Sequence, residues 1–136
     1  MTIHSSSIID PGAKLGEGVS VGPFSIIGPH VQIGSGTVIG SHVVIEANTI
    51  IGEGCKIFHG ASIGGEPQIM GFEDVSSSVE IGDGTVIREY ATIHRSGYKD
   101  GVTRIGKNCL LMAYSHFGHD CELGDQVIVV NGTGLS

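Results

Sequence analysis

Ser25-Ile26-Ile27-Gly28-Pro29-His30, Val31-Gln32-Ile33-Gly34-Ser35-Gly36 and Thr37-Val38-Ile39-Gly40-Ser41-His42 are three consecutive hexads in one register. Each opens on a small or β-branched residue and carries an aliphatic at its third place and a glycine at its fourth. The third place recurs in both directions. It holds without a miss from Ile3 to Ile63, resumes over Ile81, Ile87 and Ile93, and returns from Ile105 to Leu135. Of these twenty positions only Phe117 is not Ile, Leu or Val. No helix repeats at six, so the internal period outranks local propensity.

Alternate side chains of a strand face the same way, so the first and third places of a hexad point inward and the second points out. The fourth-place glycine is expected to supply the backbone dihedrals of a sharp corner. Three strands and three corners make one turn of a triangular prism, and each coil hydrogen-bonds to the next. Twenty repeats give about seven coils, a stack of roughly 30 to 35 Å. The expected fold is all-β, a parallel β-helix of hexapeptide repeats forming one domain over residues 1–136.

Composition agrees. Aromatics are 5% with no Trp, which suits narrow identical layers, and the 23 glycines sit largely in phase with the period. The net charge of −7 and only seven Lys plus Arg argue against nucleic acid as the main partner. No apolar run approaches the roughly 20 residues of a transmembrane segment, and Met1–Ser7 lacks a signal pattern, so a cytoplasmic protein is expected. Cys55, Cys109 and Cys121 all occupy the inward first place and read as buried core atoms rather than a disulfide framework.

Two insertions interrupt the register, at about 64–80 and 94–104. Between Ile63 and Ile81 lie 17 residues where five are expected, and between Ile93 and Ile105 lie 11. Both excesses are multiples of six, but Glu73 and Gly97 would be poor inward residues, so both are expected to be loops. A given edge then recurs every third repeat. Both insertions, the Gly118-His119-Asp120 bend and Leu135-Ser136 fall on one edge of the prism. Loops and corners on a regular scaffold are where function concentrates. His4, His30, His42 and His59 lie elsewhere and read as surface. His94, His116 and His119 gather on that edge, and imidazole suits proton abstraction near neutral pH.

Several runs together carry a more specific signal. They are Gly22-Pro23-Phe24-Ser25-Ile26-Ile27-Gly28-Pro29-His30, Thr92-Ile93-His94-Arg95, Asn108-Cys109-Leu110-Leu111-Met112 and His116-Phe117-Gly118-His119-Asp120-Cys121. In these the chain resembles the acyl-carrier-protein-dependent UDP-N-acetylglucosamine O-acyltransferases of lipid A synthesis, over essentially its whole length. The resemblance implies left-handed coils and a homotrimer. It implies acyl carrier protein as donor partner, a UDP-amino-sugar as acceptor, and neither cofactor nor metal. It implies His119 as the general base on the sugar 3-hydroxyl and Asp120 as the group that orients it. Gln68, His94 and His116 match positions lining the cleft between subunits.

Two departures stand out. Ile69 occupies the place of a family aspartate that contacts the sugar, and Gly71 that of a lysine. The family also continues beyond Ser136 with further coils, a helical domain and a backbone oxyanion donor. Two other readings compete with the acyltransferase. One is a non-catalytic solenoid or degenerate paralogue. The other is a metal site like that of the β-helical carbonic anhydrases, whose histidine pair is five residues apart rather than three. The outward column, with Ile26, Val38, Val44, Ile50, Val86 and Leu110, needs a cover, and a parallel trimer supplies one. A last coil ending at Ser136 is expected to pair end to end or fray.

Overall fold

The computed structural model describes residues 2–136 and resolves the period into twenty short strands, all paired in parallel. Sheet A stacks β1 (Thr2–Ile3), β4 (Ser20–Val21), β7 (Val38–Ile39), β10 (Lys56–Ile57), β13 (Val86–Ile87), β16 (Leu110–Leu111) and β19 (Ile128–Val129) in that order. Sheet B stacks β2 (Ile8–Ile9), β5 (Ile26–Ile27), β8 (Val44–Ile45), β11 (Ser62–Gly65), β14 (Thr92–His94), β17 (His116–Phe117) and β20 (Gly134–Leu135). Sheet C stacks β3 (Lys14–Leu15), β6 (Gln32–Ile33), β9 (Thr49–Ile51), β12 (Ser78–Ile81), β15 (Val102–Ile105) and β18 (Glu122–Leu123). Neighbours within a sheet are three strands apart in sequence, so the chain winds once around the prism per coil. The fold is the left-handed parallel β-helix. Among the described residues no helix is long and apolar enough to cross a membrane.

Both insertions leave the stack. Ile51 pairs with Ile33 below, eighteen residues away, but with Ile81 above, thirty away. Twelve residues, 66–77, are therefore extruded between β11 and β12. Ile81 in turn pairs with Ile105, and residues 95–101 form a second loop between β14 and β15. The third-place aliphatics stay in register across both loops. Ile63, Ile93 and Phe117 are fully buried one above another.

The corners are made differently from the sequence expectation. Left-handed backbone falls at the sixth place of the hexad, as in His30 (φ 59°), Asn48 (φ 64°), Tyr90 (φ 58°) and Asp120 (φ 66°), with glycine there at Gly36 (φ 72°) and Gly54 (φ 63°). The fourth-place glycines recur in phase for another reason, close approach of the coil above. A Cβ on Gly34 would lie 2.6 Å from both the Gly52 carbonyl carbon and the Glu53 nitrogen. Glycine at the fourth place therefore makes room between coils, and the sixth place bends the chain.

First-place hydroxyls fasten consecutive coils. Thr37 Oγ1 donates to the Gly52 carbonyl (2.8 Å) and accepts from the Cys55 amide (3.0 Å). Ser25 bonds Gly40 and Val43 in the same way, and Thr85 bonds Gly106 and Cys109. Each link satisfies a buried backbone donor and acceptor that the ladder alone leaves free. Thr49 and Ser115 are exceptions, both hydroxyls being buried without a partner, and for Thr49 the reason is visible. The equivalent carbonyl belongs to Gly64, which takes φ 86° as the chain turns off into the first loop. The insertion thus interrupts a coil-to-coil link where it leaves the prism. Of the cysteines, Cys55 and Cys109 are buried as expected, and Cys121 is only half-buried.

Candidate active site

The edge joining sheets B and C carries both loops, and their residues meet over the Gly118-His119-Asp120 bend. The Cys121 amide donates to the Gly118 carbonyl at 3.3 Å, closing a four-residue turn whose third residue, Asp120, is left-handed. The Asp120 amide donates to Thr103 Oγ1 of β15 at 2.8 Å, which ties the turn to the coil below.

The Asp120 carboxylate draws in three donors. Ser96 Oγ bonds Oδ1, the Gly97 amide reaches Oδ2 at 3.1 Å, and His119 Nδ1 lies 2.9 Å from Oδ2. Burial pushes the Asp120 carboxyl upward, but the bonds from Ser96, His119 and the Gly97 amide outweigh it and leave the group below its ordinary value. Asp120 is therefore a carboxylate near neutral pH and can only accept. His119 must carry its proton on Nδ1, which leaves the Nε2 lone pair free.

The other two histidines stand beside this pair. Thr92 and His116 are register partners on neighbouring strands of sheet B, and Thr92 Oγ1 lies 2.7 Å from His116 Nδ1. His94 meets the His116 ring edge-to-face, with centroids 5.1 Å apart. Burial, then the fields of His116 and His119, push the His94 imidazole below its usual value, and its Nδ1 is buried without a partner.

Arg95 holds the two loops together. Its guanidinium bonds the Val75 carbonyl (2.7 Å), Ser77 Oγ (2.9 Å) and Asp74 Oδ1 (2.7 Å), while Ser77 Oγ donates to the Ser96 carbonyl at 2.6 Å. So anchored, the first loop lays Ile69 over Gly97. A Cβ on Gly97 would lie 2.6 Å from Ile69 Cδ1 and 3.5 Å from His119 Nδ1. Gln68 is exposed beside Ile69, and its side chain makes no hydrogen bond among the described residues.

All five residues singled out in the sequence thus sit on the loop-bearing edge: His119 and Asp120 in direct contact, His94 and His116 ring to ring, and Gln68 on the covering loop. Sequence reasoning did not find Ser96, Gly97, Thr92, Thr103 or Arg95. A signal existed for Thr92, which shares the outward column of sheet B with His116 one coil on. None existed for Ser96 and Gly97, whose role depends on how the loop folds back.

The pattern described as bacterial transferase hexapeptide (six repeats) matches residues 12–47 and 103–136. The chain belongs to that family. Among curated hexapeptide proteins it is 57% identical over 122 residues to an acyl-[acyl-carrier-protein]–UDP-N-acetylglucosamine O-acyltransferase of Sulfurihydrogenibium sp.. That match covers 89% of this chain and 45% of the relative. A protein of the same name from Trichlorobacter lovleyi is 53% identical, with 96% of this chain and 51% of the relative aligned. The UDP-N-acetylglucosamine acyltransferase structure of Francisella novicida superposes with a TM-score of 0.95 at 43% identity, covering 98% of this chain and 49% of that one. LpxA of Acinetobacter baumannii gives 0.95 at 41%, covering 98% and 52%. The chain spans about half the length of the relatives it matches.

Proposed function

We propose that this hexapeptide protein is an O-acyltransferase. In this reading it moves a fatty acyl group from an acyl-carrier-protein thioester to the 3-hydroxyl of UDP-N-acetylglucosamine. The observation that carries the reading is the His119–Asp120 pair, an imidazole fixed by a carboxylate, with Nε2 free, under two loops. His119 Nε2 takes the hydroxyl proton as the oxygen attacks the thioester carbonyl carbon. The tetrahedral intermediate collapses, the carbon–sulfur bond breaks, and the leaving thiolate takes the proton from His119. Asp120 stabilises the transient imidazolium. His94, His116 and Gln68 contact the sugar nucleotide. Similarity to relatives named for this reaction supports the assignment.

The working unit in this reading is a cytoplasmic homotrimer. Sheet C presents Lys14, Gln32, Glu80, Arg104 and Glu122 outward, with Arg104 bridging Glu80 and Glu122, and suits solvent. Sheet A from β7 upward and the lower strands of sheet B present mostly apolar side chains, including Val38 (45% exposed) and Ile26 (44%); Ile50 alone of the expected apolar column lies on sheet C. The edge between A and B carries exposed aromatics, with Tyr90 stacked on Tyr114 at 5.4 Å and Phe24 against His42 at 5.1 Å. Turning that edge toward a threefold axis covers both apolar faces.

The test is turnover of an acyl-carrier-protein thioester with UDP-N-acetylglucosamine, followed by mass spectrometry. The expected result is the 3-O-acyl product, lost by about 10²–10⁴ in rate in His119→Ala while the circular-dichroism spectrum is unchanged. A variant within a few-fold of the parent removes His119 as the base. Absence of both product and sugar-nucleotide binding removes the acyltransferase reading.

A further inference from the structure

Below the first loop, on sheet B, runs a groove of about 620 Å³ with an apolar floor that includes Ile26 and Val44. Glu46, Glu66 and Asp74 give it a carboxylate rim. Arg95 pairs with Asp74, whereas Glu46 and Glu66 make no ion pair among the described residues. Two unpaired carboxylates therefore border an apolar face that has no cover within the chain.

Sheet A shows the reverse. Its outward column from β7 upward is Val38, Lys56, Val86, Leu110 and Ile128, so Lys56 is a single cation among apolar side chains. Lys56 is exposed and pairs with no carboxylate among the described residues, while the nearby Arg88 is already held by Glu89. A lone ammonium on an otherwise apolar interface face is costly when the face is covered, unless the covering surface pairs it.

The winding of the chain sets the heights. Lys56 comes ten residues after Glu46 in a coil of eighteen, so it stands about half a coil from it, roughly 2.5 Å along the axis, while Glu66 opens the first loop and lines the same groove. Rotation about a threefold axis parallel to the prism axis preserves height. It turns sheet A of one copy toward sheet B of the next when the edge between them points inward.

We propose that the groove is a docking site for a second copy of this chain: Lys56 of one subunit enters the groove of its neighbour and pairs with Glu46 and Glu66. The contact is heterologous, repeats three times, and closes a ring. It also fixes register. A shift of one coil would bring Val38 or Val86 of sheet A, in place of Lys56, to the height of Glu46 and leave the glutamates uncompensated. The loop that covers His119 forms the roof of this groove, so subunit docking buttresses the site. The inference rests on the trimer reading and adds the residues that specify it.

Sedimentation velocity at micromolar concentration tests it on the parent, Lys56→Glu, Glu46→Lys/Glu66→Lys, and the combined swap. The expected result is a trimeric parent, trimer dissociation constants raised at least tenfold in the two single-sided variants, and recovery in the swap. Circular dichroism should match throughout, because all three residues are exposed. A trimeric parent with Lys56→Glu assembling as tightly, or a swap that does not recover, overturns the pairing and leaves the trimer standing. A monomeric parent overturns the trimer and the pairing together.

Discussion

The Asp120 carboxylate holds His119 Nδ1 at 2.9 Å and, through the same oxygen, the Gly97 amide at 3.1 Å. The group that sets the tautomer of the imidazole is thus also the group that closes the second loop. Asp120→Asn puts an amide where only an acceptor fits, opposite three donors. The expected outcome is a rate loss smaller than that of His119→Ala, together with faster hydrogen exchange at the Gly97 amide. Unchanged exchange at Gly97 would separate the loop from the pair.

The hydroxyl links predict opposite results for two similar substitutions. Thr37→Val strands the Gly52 carbonyl and the Cys55 amide inside the prism and should cost about 1–3 kcal/mol. Thr49→Val removes a buried hydroxyl that has no partner and should fall within about 0.5 kcal/mol of the parent or stabilise it. Denaturant unfolding of the two variants decides, and equal losses would contradict the link.

Two glycines two residues apart should also behave differently. Gly34→Ala forces a Cβ against the backbone of the coil above and should destabilise by about 1–3 kcal/mol. Gly36→Asn meets nothing within 4 Å and takes a conformation that Asn48 already adopts, so it should cost no more than about 1 kcal/mol. Melting temperatures in the reverse order would mean that the fourth place makes the corner after all.

His94 predicts an acid-sensitive edge. Its imidazole is held below the ordinary value of 6.5, so the unfolded chain binds its proton more readily. Stability from this group is complete above about 6.5 and declines as pH falls through the lowered native value. The depressed carboxyl of Asp120 adds a second loss at lower pH, below the ordinary value of 3.8. Thermal unfolding between pH 7.5 and 5 should show the first decline in the parent and a shallower one in His94→Gln. Parallel curves would remove His94 as its source.

The period alone settled the architecture, because a six-residue repeat of inward aliphatics has one way to bury every third place. It also placed both insertions and the His119 bend on one edge. Counting corners puts Ile63, Ile93 and Phe117 on one edge, and the pairings of Ile63 with Ile93 and Ile93 with Phe117 agree. The glycine column misled, because periodicity shows that a residue type is required without showing why. Steric room and a left-handed backbone both select glycine, and only coordinates separate Gly34 from Gly36.

What the tertiary structure alone decided are the contacts made by the two loops. The sequence marked 66–77 and 95–101 as departures from a pattern, but a departure carries no period from which to infer where its side chains go. Arg95 reaching Asp74 and Ser77, Ser96 and Gly97 closing on Asp120, and Ile69 lying across Gly97 join residues from 18 to 28 positions apart along the chain. The prism follows from repetition because each coil copies the last. The site does not, because its contacts occur once, and a single long-range contact leaves no repeating trace in a sequence.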